Sequence, residues 1–460
     1  MKRIAIVGGG VAGLAAAYEL AQLARKGSAI QAVLFEASNR LGGIVETVRE
    51  GEFIIECGPD AWVTEKPWAR ELAEQLGLND EIMPSNDATR KTYILIDNRL
   101  QAMPDGMRMM VPANLDALDA SELFSAKAKQ AYHDELARAE ELKAAAPHHD
   151  ESVADFVLRH FGREVLEKIG APLLSGVFGG DVTHLSVRAV MAPFVAMERE
   201  HGSLIAALQT RSVSNPASIF TTLRSGMGTL VDRMIAATPP DWIRLGAEVK
   251  YVSHGDEGWL IGTAHEIERF DALLMAAPVD VARSLLAPVD ARMAELMQMD
   301  ASSAVVVAFG FPQAERLSVP PGFGFLVPPG SGSRLLACTF VDQKFADRVP
   351  HGGRLLRAFF GGAVAERMMH CRNDEAAAIA RLELAGILGP LPEPQITVVR
   401  RWPRSLPQYS VGHLERMAEL DARVKAFAGL HLLGNGYRGV GIPDLVRDAG
   451  AAACKIERCS

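Results

Sequence analysis

At 460 residues the chain is long for a single hydrophobic core, and two or three domains are expected. Its formal charge of −8 argues against a general nucleic-acid binder and against broad attraction to anionic lipid. The longest apolar run, "SSAVVVAFGF" (302–311), falls well short of the roughly 18 residues of a membrane span, which leaves only a monotopic, peripheral membrane contact open.

Met1-Lys2-Arg3 leads straight into an apolar run, Ile4 to Val7, and no signal peptide is expected. That run reads as a short buried strand, and Leu14 to Leu20 as a helix of good formers. Between them Gly8, Gly10 and Gly13 fall on the G-x-G-x-x-G spacing of a dinucleotide turn. One glycine serves the tight turn, one the approach of backbone to a pyrophosphate, one the packing of helix on strand. A second strand, "AVLFEAS" (32–38), reaches Glu36, roughly 20 residues beyond the glycines, where a carboxylate hydrogen-bonds ribose hydroxyls. Arg40, Gly42 and Gly43 follow at once.

Further along, a helix is expected over 66–78, closed by Gly77, and a hairpin over 92–104 around Asp97-Asn98. Helical spacing runs through 121–146 and 152–174, as an insertion. His148-His149 lie in a turn-like stretch between them, and the histidines show no metal-ligand spacing. Short strands return between 241 and 275, and apolar strands at 303–310 and 354–360 suggest a second sheet. Residues 431–456 repeat the opening pattern of strand, glycine-rich turn and alanine-rich helix. Cys57, Cys338, Cys371, Cys454 and Cys459 are odd in number and lack a C-x-x-C pair, so they read as reduced thiols of a cytoplasmic protein.

The glycine turn alone fits NAD, NADP or FAD. An arginine beside paired glycines (40–43) adds a second approach to the pyrophosphate, as the long FAD molecule requires. "GNGYRGVGIPD" (434–444) is a third glycine-rich contact, opening a late helix whose N–H groups favour negative charge. FAD is therefore the expected cofactor.

From end to end the chain resembles the FAD-dependent protoporphyrinogen/coproporphyrinogen oxidases, of the soluble bacterial type, within the monoamine-oxidase-like flavoprotein fold. The resemblance is carried by "ECGPDAWVTEKP" (56–67), "SGVFGGD" (175–181), "RWPRSLPQYSVGH" (401–413) and "GVGIPD" (439–444). It implies an α/β fold: a discontinuous Rossmann-like FAD-binding domain (1–90, 216–290 and 406–460), an inserted helical substrate-access domain (91–215) and a mixed-sheet substrate-binding domain (291–405). It implies six-electron oxidation of a porphyrinogen in haem synthesis, in three steps, with molecular oxygen reduced to hydrogen peroxide. Coproporphyrinogen III and protoporphyrinogen IX both stay open, with a lean to the former. No nucleophile or paired-carboxylate constellation is evident, which accords with chemistry carried by the cofactor.

Gly8, Gly10, Gly13, Glu36, Arg40, Gly42 and Gly43 are expected at FAD. The resemblance adds Gly58, Pro59 and Asp60 beside the isoalloxazine, Val249 in a strand against the adenine, and Trp402, Val440, Gly441 and Ile442 as closing contacts. Gly176 is expected near the reacting carbon, its carbonyl orienting the macrocycle or accepting a proton; a glycine needed only for a positive φ is the alternative. Gly179 stands where relatives have alanine, a change expected to loosen the turn. Lys66 and Arg90 (with Lys91) are expected to meet substrate propionates. Rival readings are an amine oxidase or desaturase on the same fold, and a non-catalytic flavin-binding partner protein. Transient contact with ferrochelatase, a cytoplasmic location with peripheral contact at the inner face of the membrane left open, and a monomer or homodimer complete the expectations.

Overall fold

The computed structural model describes residues 1–210, 218–313 and 317–458; Cys459 and the expected domain boundary at 215/216 lie outside them. A five-stranded parallel sheet forms the base, in the order Ile243–Arg244, Ile30–Phe35, Lys2–Val7, Ala272–Met275, Leu430–Leu432. Alternate residues of the opening strand point to opposite faces, and both faces are covered. Ile4 and Ile6 pack with the helices Val11–Arg25, Gly228–Ala237 and Ile442–Arg458. Ala5 and Val7 pack on the antiparallel sheet of Tyr251–Gly255, Gly258–Gly262 and Ile267–Phe270 and on the helix Val279–Leu286. That double burial explains an opening strand with no polar alternation.

A seven-stranded mixed sheet has the order Ile396–Pro407, Ala301–Phe311, Arg354–Phe360, Ala337–Phe340, Gly324–Leu326, Thr92–Ile96, Arg99–Ala102. The hairpin turns at Asp97 (φ 48°) and Asn98 (φ 58°), both left-handed. It lies at the edge of this sheet, so the segment expected as a helical unit from residue 91 begins instead as sheet. The strand Ile396–Pro407 likewise crosses the expected boundary at 405/406.

The helices of the insertion surround Tyr132, Phe156, Phe161 and Phe194. Within this core His160 sits fully buried between Glu135 (3.0 Å) and Glu198 (3.1 Å). Burial alone would lower its pKa, but the hydrogen bonds it donates to the two carboxylates hold it above the ordinary value. Among the described residues no helix is long and apolar enough to cross a membrane.

Candidate active site

The turn after the opening strand is shaped by contacts that leave no space for side chains. Gly8 has φ +109°, and a Cβ there would stand 2.6 Å from the Ala276 carbonyl oxygen. A Cβ on Gly13 would collide with the Gly8 carbonyl oxygen. Gly10 is different: among the described residues a Cβ there would meet only the Gly43 α-carbon, at 3.9 Å, so bare backbone faces an open cradle. The Gly42 N–H donates to the Gly9 carbonyl (2.8 Å), which ties the second glycine turn to the first. The first-turn N–H groups of the helix Val11–Arg25 lack intrahelical partners and favour an anion.

Two charged residues hold this cradle rather than simply projecting into it. Glu36 follows the strand Ile30–Phe35 and accepts hydrogen bonds from the Gly9 N–H (2.7 Å) and the Ser38 N–H (2.8 Å). A carboxylate has about four acceptor sites, so capacity remains for hydroxyl donors. Arg40 donates to the carbonyls of Leu41 (3.0 Å), Val45 (3.2 Å) and Gly43. Its guanidinium braces its own loop, a different use from the direct pyrophosphate contact expected.

The turn at 57–60 rests on a buried charged cluster. The Gly58 carbonyl accepts from Arg357 (2.5 Å), and a Cβ on Gly58 would collide with the Ile44 carbonyl oxygen. Asp60, beyond Pro59, pairs with Lys344 (3.0 Å) and Arg357 (3.1 Å). Burial pushes its carboxyl upward, but Lys344 and then Arg357 outweigh that and hold it below the usual range. Neighbouring Glu56 goes the other way: burial dominates and raises it, despite Arg348 at 3.6 Å. Trp402 donates its indole N–H to the Cys57 carbonyl (2.7 Å), fastening the turn to the strand Ile396–Pro407.

At the C-terminal turn, Val440 and Gly441 lead into the helix Ile442–Arg458, and buried Asp444 sits in its first turn. Lys66 donates to both Asp444 oxygens (2.8 and 2.6 Å), and Arg447 approaches at 3.2 Å. Lys66 is therefore committed to a carboxylate of the protein, which corrects its assignment to substrate propionates. Arg90 pairs with Asp87 (3.5 Å); nearby the Thr89 hydroxyl donates to the Gln343 carbonyl and the Asn86 N–H to the Lys344 carbonyl.

Gly176 lies exposed in the helix Ala171–Phe178 with no positive φ, so the purely conformational alternative fails. A Cβ there would meet only Leu326 Cδ2 at 3.7 Å. Gly179, in contrast, ends the helix in the left-handed region (φ 66°), and glycine suits that position better than alanine. Val249 lies in no strand. Gly246 (φ 63°) ends the strand Ile243–Arg244, and the N–H groups of Gly246 and Ala247 donate to the carbonyls of Ser38 and Glu36. Val249 is consequently a buried loop residue, close in sequence to the segment aligned beside Glu36.

The family model for flavin containing amine oxidoreductases matches residues 11–457. The chain belongs to this family. The coproporphyrinogen III oxidase of Bacillus subtilis (strain 168) is 32% identical, over 98% of this chain and 97% of that one. The namesake from Staphylococcus aureus is 27% identical over 99% of each. A crystal structure from Exiguobacterium sp. 255-15, provisionally described as a protoporphyrinogen oxidase, superposes with a TM-score of 0.88 at 31% identity, covering 100% of this chain and 99% of that one.

Membership of the flavin containing amine oxidoreductases makes this chain a flavin-dependent oxidoreductase, and the bare Gly10–Gly43 cradle fits an extended phosphate-bearing cofactor. Three cations of the site, Lys344, Arg348 and Arg357, escaped the sequence reading. One signal was available: Arg357 interrupts the apolar strand "RLLRAFF", and a charge inside a buried strand needs a partner.

Proposed function

We propose that the protein is an FAD-dependent porphyrinogen oxidase of haem synthesis, acting on coproporphyrinogen III. The observation that carries the reading is full-length similarity to coproporphyrinogen III oxidases in a chain whose two glycine turns leave an open backbone cradle. FAD, when bound, supplies the two-electron acceptor that molecular oxygen regenerates. The balance is one porphyrinogen and three O2 giving one porphyrin and three H2O2, so six electrons and six protons leave the macrocycle.

The chain's own residues bind and orient. Gly8, Gly10, Gly13, Gly42 and Gly43 seat the pyrophosphate, and Glu36 takes ribose hydroxyls with its remaining acceptor sites. The 58–60 turn, Trp402 and the 440–442 turn enclose the flavin end. Gly176 offers the macrocycle a surface without a side chain. Lys66 acts indirectly: by neutralising Asp444 it removes a carboxylate charge from a helix start that would otherwise favour an anion. The photoreactive product passes to ferrochelatase by transient contact.

The test is an aerobic assay of the flavin-loaded protein with coproporphyrinogen III and protoporphyrinogen IX in parallel, following porphyrin fluorescence and peroxide. Faster oxidation of coproporphyrinogen III supports the reading. No acceleration with either substrate, with flavin bound, would return amines or a non-catalytic flavin carrier as the explanation.

A further inference from the structure

The strand Ile396–Pro407 runs directly into Gln408 and Tyr409, and these neighbours reach in different directions. Gln408 Nε2 donates to the carbonyls of Phe178 and Leu406, both at 2.7 Å. Phe178 is the last residue of the Gly176 helix, where C-terminal carbonyls lack intrahelical partners. The Ser302 hydroxyl donates to the next carbonyl, that of Gly179 (2.6 Å). The Gln408 side chain lies so close to Gly180 that a Cβ there would collide with it.

Tyr409 serves the other side. Its hydroxyl donates to the Asn435 carbonyl (2.6 Å) and accepts from the Gly439 N–H (3.0 Å), both in the glycine-rich turn before the last helix. Its ring stacks on His413 with centroids 3.9 Å apart and planes 11° from parallel. The backbone between the two tasks is pinned as well: the Gln408 N–H donates to Asp300, and the Tyr409 carbonyl accepts from Ser186.

We propose that Gln408 and Tyr409 form a two-way positioning pair that sets the separation between the Gly176 helix and the 435–442 turn. Gln408 fixes the porphyrin seat and Tyr409 the flavin seat. The inference rests on the reading that Gly176 faces the porphyrinogen and residues 440–442 face FAD. Adjacent residues whose backbone groups are both hydrogen-bonded cannot move apart, so the two seats are held at a common spacing.

The test uses flavin-loaded Gln408→Leu, Ser302→Ala and Tyr409→Phe proteins. Coproporphyrin III affinity is read by fluorescence quenching; flavin seating is read by the visible FAD spectrum and FAD dissociation. Gln408→Leu is expected to weaken porphyrin binding about tenfold, the equivalent of a buried hydrogen bond, with FAD unaffected. Ser302→Ala should move the same readout in the same direction, and stands in if Gln408→Leu fails to fold. Tyr409→Phe is expected to shift the FAD spectrum and raise FAD dissociation about tenfold, leaving porphyrin affinity within twofold. Porphyrin and flavin readouts that move together in every variant, or that stay within twofold throughout, overturn the proposal. Gly176→Ala separates the premise from the device, because its Cβ is sterically accommodated. If Gly176→Ala leaves porphyrin affinity unchanged, the placement of Gly176 is wrong and the proposal falls with it. If Gly176→Ala weakens porphyrin binding while the Gln408 and Ser302 variants do not, the positioning role alone is refuted.

Discussion

A Cβ on Gly13 would collide with the Gly8 carbonyl oxygen, so a Gly13→Ala methyl group must displace the turn that Gly10 and Gly43 share. Overpacking of this kind costs about 1–3 kcal/mol, and the displacement falls in the cradle proposed for the cofactor phosphates. Gly13→Ala protein is expected to lose most of its bound flavin, read as absorbance near 450 nm per chain; full flavin content would contradict the cradle. Lys66 illustrates a different residue-scale effect. Its side chain is 46% exposed while that of Asp444 is 4% exposed, so solvent screens one partner and not the other. Arg447 remains beside Asp444 after Lys66→Ala, and the expected loss is therefore only about 1–2 kcal/mol in urea unfolding. Unchanged stability would show that the pair is not maintained in solution.

Among the elements, the helix His413–Val424 carries a pH-sensitive anchor at its first residue. His413 is wholly buried, its Nε2–H donates to the Tyr437 carbonyl (3.0 Å), and burial pushes its pKa down to about 4. The unfolded value is near 6.5, so between about 6.5 and 4 the folded chain binds fewer protons than the unfolded one, a contribution of about 3 kcal/mol. This contribution is complete above pH 6.5 and is lost as pH falls toward 4. His160 has the opposite sign, because its raised pKa gives stability present below 6.5 and lost as pH rises through the folded value. Chemical denaturation at pH 7 and pH 5 should show a smaller acid loss for His413→Gln than for the parent protein; equal losses would rule out His413 as the source.

The same scale explains what could be read from sequence. The opening strand, its glycines and the Asp97-Asn98 hairpin were legible because each depends on neighbours in sequence. Lys66 was not, since its partner lies 378 positions away and an exposed lysine beside a proline carries no local mark of that pairing. Val249 is a strand residue by the family resemblance, but in this chain Gly246 breaks the strand first. Arg357 gave a readable signal, a charge within an apolar strand, but its partners Gly58 and Asp60 are set by tertiary folding.

For the whole molecule, the parallel sheet draws strands from residues 2–7, 30–35, 243–244, 272–275 and 430–432, so the cofactor cradle depends on both ends of the chain. The helical insertion and the mixed sheet are bound to that base through the 57–60 turn, Trp402 and the 408–409 pair. Such an arrangement places an electron acceptor in a rigid frame and leaves the substrate side to surrounding elements, as cofactor-borne oxidation requires. The most direct measurement is anaerobic mixing of the flavin-loaded protein with coproporphyrinogen III while the 450 nm flavin band is followed. The account predicts that the band bleaches and that admitting oxygen restores it, with hydrogen peroxide formed in step. A flavin band that stays oxidised in the presence of excess coproporphyrinogen III would contradict it.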